Sequence, residues 1–586
     1  MDNNHSITRI KPDLSDRGFI FEPGLFGINM EVTRKGFFRG INAQMLNNRK
    51  LFAGADDPDG WVCLGAQRVT GRPQDSLCGS NYVILKDGGS MRQSSDVIAL
   101  QAGRKYEAKA WVKAFSDNAA LTFGIAGFER RLKVCLSDAK YKELSFSFDG
   151  ADLESGTFTV NAEGEIAVFE LSLMPADHFH GMRRDVIESL REIAPTSIRY
   201  PGGCYADHFE WKESLKAPEF RKPVDGRSKG FMLRDSYHQD CVEVGINEFI
   251  LLCRELGAEP EYTVSHIQSD GEDARCLIEY CNGSADTEYG AKREALGFGP
   301  FGIKVWYIGN ESYYSGGPYR LDGGLAAERT NEIVNAMRGV DPDIKPVIGL
   351  VSDRHLRPWS KAFMDKLDCT YALVSHHWYY GTGPTADPDG VIACENVKNT
   401  YLHDTDEGLE FYKDELLADV WEKVRICVDE WNFCWGSGSN NALLISNALQ
   451  LHFFGRNAEK YHIREARFFM PVNEGMITVS ATGSKVESSG KLFRFMAGHK
   501  GGNVVNCASD DSLDVLCTRH DGYYYVSAVN RSGAPCTIEV DGFEIYDCIE
   551  ISVGEFSFFN NDYKISAKSD ASVGAYGILF FRMKEK

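Results

Sequence analysis

The chain has 586 residues and a formal net charge of −20, with 43% hydrophobic and 25% charged residues. This composition is typical of a globular protein, and the length predicts several domains because it exceeds one ordinary core. The strong acidity argues against a nucleic-acid partner or an anionic membrane, since both require a basic surface.

No apolar run approaches the roughly 20 residues that span a bilayer. The first residues lack the charged and apolar regions of a signal peptide, so we expect a cytoplasmic protein. The 16 cysteines are scattered without a CxxC pair, which favours reduced thiols over a disulfide framework and gives no sign of a zinc site. The sequence predicts no metal and no other cofactor.

In chain order, short runs rich in β-branched and aromatic residues alternate with segments that carry apolar residues at helical spacing. The predicted strands cover residues 25–31, 197–201, 259–264, 304–310, 345–350, 372–379, 425–431 and 466–472. The clearest predicted helices cover residues 182–193, 246–256, 325–337 and 442–454. This alternation predicts parallel βα units, and eight of them favour a closed (β/α)8 TIM barrel of the α/β class over an open sheet.

Two intervals depart from this rhythm, because they are rich in strand-forming residues and turn residues and lack strong helices. The first predicts a β-sandwich inserted after the first barrel strand, and the second predicts a C-terminal all-β sandwich domain. The expected organisation is 1–53 for the N-terminal segment and first barrel strand, 54–173 for the insertion, 174–488 for the rest of the barrel and 489–586 for the C-terminal domain.

Polar side chains recur where the predicted strands end, which is where a TIM barrel carries its active site. They are Glu31, Arg199, Asn310, Glu311, His376, His377, Tyr379, Asp429, Glu430, Asn432, Asn473 and Glu474. Charged groups are costly to bury beside Val, Ile and Trp, so their presence calls for a reason.

Taken singly, these residues have structural alternatives. Asn310-Glu311 and Asp429-Glu430 could each be helix caps or loop ion pairs. Arg199 could pair with Glu210 at the surface, and Gly202-Gly203 is a turn without the Lys-Ser/Thr of a phosphate loop. The His376-His377 pair could bind zinc, but adjacent strand residues point to opposite faces.

A pair of carboxylates from the fourth and seventh strands would suit glycoside hydrolysis. One carboxyl group protonates the leaving oxygen, and the other stabilises or attacks the developing oxocarbenium centre. In a retaining enzyme the two groups lie about 5–5.5 Å apart. We therefore predict that Glu311 and Glu430 form such a pair, one protonated and the other ionised.

Several motifs resemble the family-51 glycoside hydrolases, the α-L-arabinofuranosidases, including plant-type members. They are LFGINMEV at 25–32, GINAQMLNNRKLF at 40–52, the long segment 173–215, EYCNG at 279–283, WYIGNE at 306–311, SHHWYYG at 375–381 and DEWN at 429–432. The motifs follow the family's order through most of the chain. The insertion is similar to the carbohydrate-binding jelly rolls of plant-type members.

The resemblance implies that Glu311 is the general acid/base and Glu430 the nucleophile, and it implies roles for other residues. Besides the two glutamates, it implies that Asn310 and Glu31 bind sugar hydroxyls. It also implies that Tyr379 bonds the nucleophile or the region of the sugar ring, and that Arg199 keeps the nucleophile ionised. It also implies that Cys204 lies against the sugar and that His377 supports the acid/base. Family members are often hexameric, so we expect a homo-oligomer.

The sequence departs from the family's pattern at Gln44, at Ser265 and through the eighth-strand region. We expect an exo-acting, retaining α-L-arabinofuranosidase acting on arabinofuranose-containing oligosaccharides. The alternatives are another furanosidase such as a β-D-galactofuranosidase, a β-glucanase or xylosidase of the same fold, and a catalytically silent carbohydrate-binding protein.

Overall fold

The computed structural model describes residues 6–51, 60–69, 75–78, 81–137, 139–225, 239–314, 320–379, 390–399, 404–434, 436 and 438–586. Within these ranges, every helix is too short or too polar to cross a bilayer. The expected boundary between residues 53 and 54 lies outside the described residues, as do the last two residues of the SHHWYYG motif.

Eight parallel strands close into a barrel, and they are numbered here barrel strands 1 to 8 in chain order. They are Gly27–Asn29, Ser197–Tyr200, Glu259–Val264, Val305–Ile308, Lys345–Gly349, Leu373–Tyr379, Ile426–Asn432 and Ile463–Phe468. Strand 8 pairs with strand 1 through Phe468 and Ile28, which closes the ring. The predicted (β/α)8 barrel is confirmed.

Helices connect and cover the strands. Those of eight or more residues are Arg184–Ile193, Ile246–Leu256, Gly271–Cys281, Glu288–Ala295, Gly323–Arg338, Arg357–Lys366, Val391–Asn399, Asn441–Arg456 and Ser488–Met496. The helix Arg184–Ile193 buries Val186, Ile187, Leu190 and Ile193, the spacing of one apolar face. All four predicted helices are present, with ends shifted by a few residues.

Barrel strand 8 lies earlier in the chain than its predicted range of 466–472. The strand begins at Ile463, and the polar residues Arg464 and Glu465 lie within it. Arg467 is also in the strand, where it is buried and forms an ion pair with Glu261 of strand 3. It ends at Phe468, and Pro471 lacks the N–H that a longer ladder would need. The polar start of this strand hid it from a pattern based on apolar runs.

Between barrel strands 1 and 2 the chain forms an eight-stranded antiparallel sheet, here called the inserted sheet. Its strands are Val62–Val69, Tyr82–Ser95, Lys105–Ala114, Ala120–Ile125, Phe128–Lys133, Lys142–Asp149, Gly156–Glu163 and Ile166–Pro175. A separate hydrophobic core, which includes Leu85, Phe123 and Leu171, packs within it. The inserted sheet thus has its own hydrophobic core, separate from that of the barrel.

A C-terminal all-β region completes the molecule, as the predicted fold class requires. Its larger sheet contains Asn503–Val504, Leu513–His520, Tyr523–Asn530, Phe543–Val553, Tyr563–Lys568 and Ile578–Glu585. The N-terminal strand Phe19–Ile20 joins this sheet, and Ser6–Arg9 pairs in parallel with Cys536–Glu539. The N-terminal segment therefore belongs structurally to the C-terminal sheets, which the sequence pattern did not reveal.

Candidate active site

The barrel brings the predicted site residues to one mouth, at the carboxyl ends of its strands. Arg199, His377, Tyr379 and Glu430 lie within strands 2, 6 and 7, close to their carboxyl ends. Glu31, Asn310 and Glu311 follow strands 1 and 4 within a few residues, and Cys204 begins the short helix Cys204–Asp207 after strand 2. All eight residues thus share the face where TIM barrels carry their chemistry.

Glu311 and Glu430 meet across this mouth. One carboxylate oxygen of each, together with one ring nitrogen of His377, lie within 4.8 Å of one another. The backbone of Glu311 has a φ of 42°, in the left-handed region that non-glycine residues rarely adopt. Such local strain is typical of residues whose side chain must be aimed at a shared centre.

Glu430 accepts two hydrogen bonds that favour its ionised form. Nη1 of Arg199 lies 3.1 Å from Oε1, and the hydroxyl of Tyr379 lies 3.1 Å from Oε2. The other guanidinium nitrogen, Nη2, donates to Oδ1 of Asn310 at 2.7 Å. Arg199 is fully buried, and its guanidinium also stacks 4.5 Å above the ring of Tyr307. This buried cation therefore positions Glu430 and Asn310 together.

Glu311 has a different set of partners. Nδ1 of His377 lies 2.7 Å from its Oε1, and the thiol of Cys204 donates to Oε2 at 3.5 Å. Asn310 in turn donates from Nδ2 to the sulfur of Cys204 at 3.4 Å. His377 and Cys204 thus lie on the Glu311 side of the site.

Glu31 is held beside the Gly202-Gly203 turn by backbone and hydroxyl donors. The N–H of Gly203 donates to Oε2 at 2.6 Å, and Thr33 donates to Oε1 at 2.5 Å. A side chain on Gly202 would collide with Glu31, and a Cβ on Gly203 would lie 2.0 Å from Oε1 of Glu430. Because Gly202 also has a φ of +107°, the Gly-Gly turn is needed for two carboxylates to approach the same backbone.

Asp429 is a site residue that the motif analysis left without a role. Its Oδ2 lies 3.5 Å from both Nη1 of Arg199 and Nε2 of His377. Although burial would raise its pKa, Arg199 and His377 lower the pKa of Asp429 to about 2. Its position directly before Glu430 was the available signal. Regular strand alternation would turn Asp429 away from the mouth, but the register of strand 7 shifts around this position, and both Asp429 and Glu430 approach Arg199 and His377.

The titration of the cluster follows from burial and charge. Burial raises the pKa of Glu430 to about 7, and the negative charge of Glu311 adds to this while His377 and Arg199 oppose it. Burial would lower the pKa of His377, but Glu430 and Asp429 raise it well above its ordinary value. The hydrogen bond and charge of His377 outweigh burial at Glu311 and lower the pKa of that carboxyl group.

These pKa directions leave the proton on His377 and a negative charge on Glu311. A general acid, in contrast, needs the proton on its own carboxyl group. The 2.7 Å contact between Nδ1 and Oε1 reconciles the two, since transfer of one proton across it leaves a neutral imidazole and a protonated Glu311. Arg199 and Tyr379 then remain as hydrogen-bond donors to Glu430. The hydrogen bond between Glu311 and His377 can thus hold one shared proton.

By geometry alone, Glu311, His377 and Glu430 could also hold a metal ion. The guanidinium of Arg199 lies 3.1 Å from Glu430 and already supplies positive charge there. A dication would compete with this buried arginine, so the residues fit a metal-free acid–base site better than a metal centre.

Other strand-end candidates lie outside the cluster. His376 faces away from it, with Nε2 3.9 Å from Asp406, as expected for the neighbour of a site residue on a strand. Asn432 and Asn473 bind backbone carbonyls of neighbouring loops, and Glu474 accepts from the N–H of Gly436. Ser265, one of the departures, donates to Asp207 at 2.7 Å. These residues shape the loops around the mouth.

Comparisons with known proteins identify similar domains and folds. A family model described as the α-L-arabinofuranosidase 1 domain matches residues 189–388, which include barrel strands 2 to 6. The intracellular exo-α-(1→5)-L-arabinofuranosidase of Halalkalibacterium halodurans is 32% identical over 43% of this chain and 49% of its own. The enzyme of the same description from Acetivibrio thermocellus is 27% identical over 46% and 52%, respectively.

The chain spans about half the length of the curated relatives it matches. Among solved structures, an arabinose-bound family-51 α-L-arabinofuranosidase superimposes with a TM-score of 0.76, covering 99% of this chain and 100% of that one at 14% identity. At this identity the likeness shows the fold, including both β-rich regions. The resemblance to the family-51 α-L-arabinofuranosidases is confirmed by the family model and the curated relatives.

Proposed function

We propose that this chain is a retaining, exo-acting glycoside hydrolase that releases terminal α-L-arabinofuranosyl residues from oligosaccharides. The observation that carries the proposal is the meeting of Glu311 and Glu430 within 4.8 Å at the barrel mouth, with Arg199 bound to the second. The relatives named above support arabinofuranose as the released sugar, since their names describe exo-acting arabinofuranosidases.

The first step forms a glycosyl-enzyme. An oxygen of ionised Glu430 attacks the anomeric carbon while the bond to the leaving oxygen breaks, and Glu311 gives its proton to that oxygen. Arg199 and Tyr379 hold Glu430 in the attacking position through their 3.1 Å hydrogen bonds. His377 supplies the proton that Glu311 delivers.

The second step releases the sugar. Glu311, now ionised, takes a proton from water, and the water oxygen attacks the anomeric carbon as its bond to Glu430 breaks. Two inversions give net retention. The short separation of the carboxylates supports this route, because an inverting pair leaves about 6.5–9.5 Å for a water molecule.

Sugar selection rests on the polar groups around the pair. Thr33 and Gly203 fix the carboxylate of Glu31 at the barrel mouth. There it accepts hydrogen bonds from sugar hydroxyls. Asn310 is locked by Arg199 with its Nδ2 on the Cys204 sulfur, which places both beside Glu311. Buried charged acceptors that hydrogen-bond a ligand hydroxyl discriminate strongly against sugars that lack it.

A panel of p-nitrophenyl glycosides tests the substrate. We expect hydrolysis of the α-L-arabinofuranoside to exceed that of the β-D-galactofuranoside, β-D-glucoside and β-D-xyloside. Hydrolysis of only one of the other glycosides would show that the enzyme acts on that sugar and not on arabinofuranose. Binding without turnover of any glycoside would make the chain a carbohydrate-binding protein.

A cytoplasmic location and a homo-oligomeric state belong to the same proposal. The names of two relatives describe intracellular enzymes, which supports the location. Light scattering of the purified chain measures the subunit number, and a monomer at micromolar concentration would contradict the oligomer.

A further inference from the structure

His266 lies directly behind the segment that carries the proposed acid/base. It follows barrel strand 3 by two residues, and it is only 4% exposed. A Cβ placed on Gly309 would collide with its imidazole, so the ring packs against the backbone at that glycine. Gly309 follows strand 4 and comes two residues before Glu311. The imidazole therefore supports the acid/base segment, which is residues 309–312, from the side of the barrel wall.

The ring of His266 makes two hydrogen bonds whose directions can be assigned. Its Nε2 lies 3.0 Å from Oγ1 of Thr330, and that hydroxyl donates its proton to the carbonyl of Ala326 at 2.8 Å. Thr330 must therefore accept from Nε2, because a hydroxyl has a single proton. Burial and the charge of Arg329 lower the pKa of His266 to about 3, so the ring is neutral and its Nδ1 is an acceptor. Ser312, whose Oγ lies 2.8 Å from Nδ1, donates to it.

The backbone of Glu311 needs support of this kind. Its φ of 42° lies in the left-handed region, which costs free energy for a residue with a side chain. Such a conformation persists only where the surrounding contacts hold it. His266 supplies contacts on both sides of Glu311, through the backbone of Gly309 before it and the hydroxyl of Ser312 after it.

The same ring ties the acid/base segment to the barrel. Thr330 is fully buried in the helix Gly323–Arg338. A chain of hydrogen bonds thus runs from this helix through the imidazole to Ser312, the neighbour of Glu311. The carboxyl group of Glu311 is held separately, by Nδ1 of His377 at 2.7 Å. The backbone and the carboxyl group of the acid/base therefore have different anchors.

We propose that His266 is a positioning residue for Glu311. By holding the backbone on both sides, it directs the carboxyl group toward His377 and toward the leaving oxygen of the substrate. The ring lies behind the backbone, so it acts through Glu311 and not on the sugar. A displacement of about 1 Å at a catalytic group can cost on the order of 10²-fold in rate. The direction toward the leaving oxygen rests on the proposed function, whereas the direction toward His377 does not.

Two substitutions of His266 with the same side-chain skeleton isolate the contact with Ser312. His266→Asn places an acceptor oxygen close to the position of Nδ1, whereas His266→Leu places a methyl group there. Both lose the bond to Thr330, so they differ mainly in the acceptor offered to Ser312. Ser312→Ala removes the same hydrogen bond from its other end and keeps the imidazole in the core, which provides a second variant if His266→Leu does not fold.

His499→Leu is the matched control, because His499 is also buried and also bonds two hydroxyl groups. Its Nδ1 lies 2.9 Å from Oγ1 of Thr518 and its Nε2 lies 3.0 Å from Oγ of Ser527. Both partners belong to the larger C-terminal sheet. This substitution should therefore lower stability in a similar way without changing the acid/base segment.

The kinetic readout is the selectivity between leaving groups. We expect His266→Leu to lower kcat/KM for an arabino-oligosaccharide by about 10- to 10²-fold, because that leaving group needs the proton of Glu311. Pre-steady-state release of dinitrophenol from the 2,4-dinitrophenyl arabinofuranoside should stay within about threefold. Ser312→Ala should shift the ratio of the two rates in the same direction, His266→Asn should recover most of the loss, and His499→Leu should leave the ratio unchanged. Equal losses for both substrates in His266→Leu, or the same ratio in the Leu and Asn variants, would overturn the proposal.

Crystal structures of the unmodified chain and the variants test the position without any substrate. The 2.7 Å contact between Oε1 of Glu311 and Nδ1 of His377 should lengthen beyond about 3.5 Å in His266→Leu and persist in His266→Asn. A contact that persists in His266→Leu would overturn the positioning role, even if the unmodified chain hydrolyses arabinofuranosides. If the unmodified chain hydrolyses none of them while the contact lengthens as expected, the proposed function fails and the positioning role stands.

Discussion

Nδ1 of His377 lies 2.7 Å from Oε1 of Glu311, while its Nε2 lies 3.5 Å from Oδ2 of Asp429. The imidazole is therefore held between the proposed acid/base and Asp429, whose pKa of about 2 leaves it ionised near neutral pH. Asp429 stabilises the charged ring, and Glu311 is the one group that can receive its proton along a short hydrogen bond. The protonation of Glu311, the proposed acid, is therefore linked through His377 to the ionisation of Glu430, the proposed nucleophile.

The pH dependence of the reaction should reveal this link. Because burial raises the pKa of Glu430 to about 7 and only the ionised form attacks, kcat/KM should fall as pH drops below about 7. Replacing His377 by Gln removes a charge that lowers this pKa, so the acidic limb should move to higher pH. Rates with an aryl arabinofuranoside from pH 4.5 to 9 measure the shift.

His376→Gln is the matched control for that experiment, since His376 faces away from the mouth toward Asp406. Its pH profile should follow that of the unmodified chain. An acidic limb that stays in place in His377→Gln would contradict the electrostatic link.

The leaving group should decide how much Glu311 matters. Glu311→Gln cannot donate a proton, so hydrolysis of an arabino-oligosaccharide should slow by about 10²–10⁴-fold. A 2,4-dinitrophenyl arabinofuranoside has a leaving group that needs little protonation, and its first step should be far less affected. Pre-steady-state release of dinitrophenol measures that step separately from hydrolysis of the glycosyl-enzyme.

An equal loss for both substrates would assign Glu311 another role. Cys204→Ser provides the control on the same side of the site, because it keeps a donor near Oε2 of Glu311. Its losses should be small and similar for the two substrates.

The stereochemistry of the product is a separate test of the carboxylate separation. With both carboxylates and His377 within 4.8 Å of one another, direct attack by Glu430 is expected, and the first sugar released should keep the α configuration. Proton NMR of the anomeric signals during the first minutes of hydrolysis records it before mutarotation. A β-configured first product would show inversion and remove Glu430 from the role of nucleophile.

Much of the fold could be predicted because its signals are local. Barrel strand 3, Glu259–Val264, has its predicted bounds, and the helix Ile246–Leu256 does too, with Gly245 and Gly257 at its two ends. The strand Ser6–Arg9 could not be found in this way. Its partner, Cys536–Glu539, is more than 500 residues away, so long-range pairing and not local propensity decides its structure.

The site shows the same division. Placing Glu311 and Glu430 at strand ends was enough to predict that they meet, and the structure brings them together, while their roles stay predictions. The steric need for Gly202 and Gly203 was hidden, because it arises only when Glu31 and Glu430 approach one turn from two other strands. Asn473 and Glu474 were grouped with the site because a sequence does not show which way a loop turns after its strand.

Arg49 offers a test of how the inserted sheet is held to the barrel. It is buried, with Nη1 2.9 Å from Glu170 of the inserted sheet and Nε 2.5 Å from Glu243 near the barrel helix Ile246–Leu256. Arg49→Met would leave two buried carboxylates without their cation, and we expect a loss of about 3–5 kcal/mol in the free energy of unfolding.

That loss should grow with pH. Burial already raises the pKa of Glu170 to about 7 although Arg49 and Lys50 oppose it, and removing Arg49 raises it further. The folded variant therefore binds protons more tightly than its unfolded chain, so its stability falls as pH rises, whereas at low pH the carboxyl groups are neutral and the substitution costs less. Urea unfolding at pH 5 and pH 8 measures the difference.

Arg131→Met is the matched control, because Arg131 and Glu163 form an exposed pair within the inserted sheet, with side chains 46% and 53% exposed, and such pairs contribute little. Equal losses for the two substitutions, or a loss at Arg49 that is larger at pH 5, would show that this buried arginine does not act through the two carboxylates.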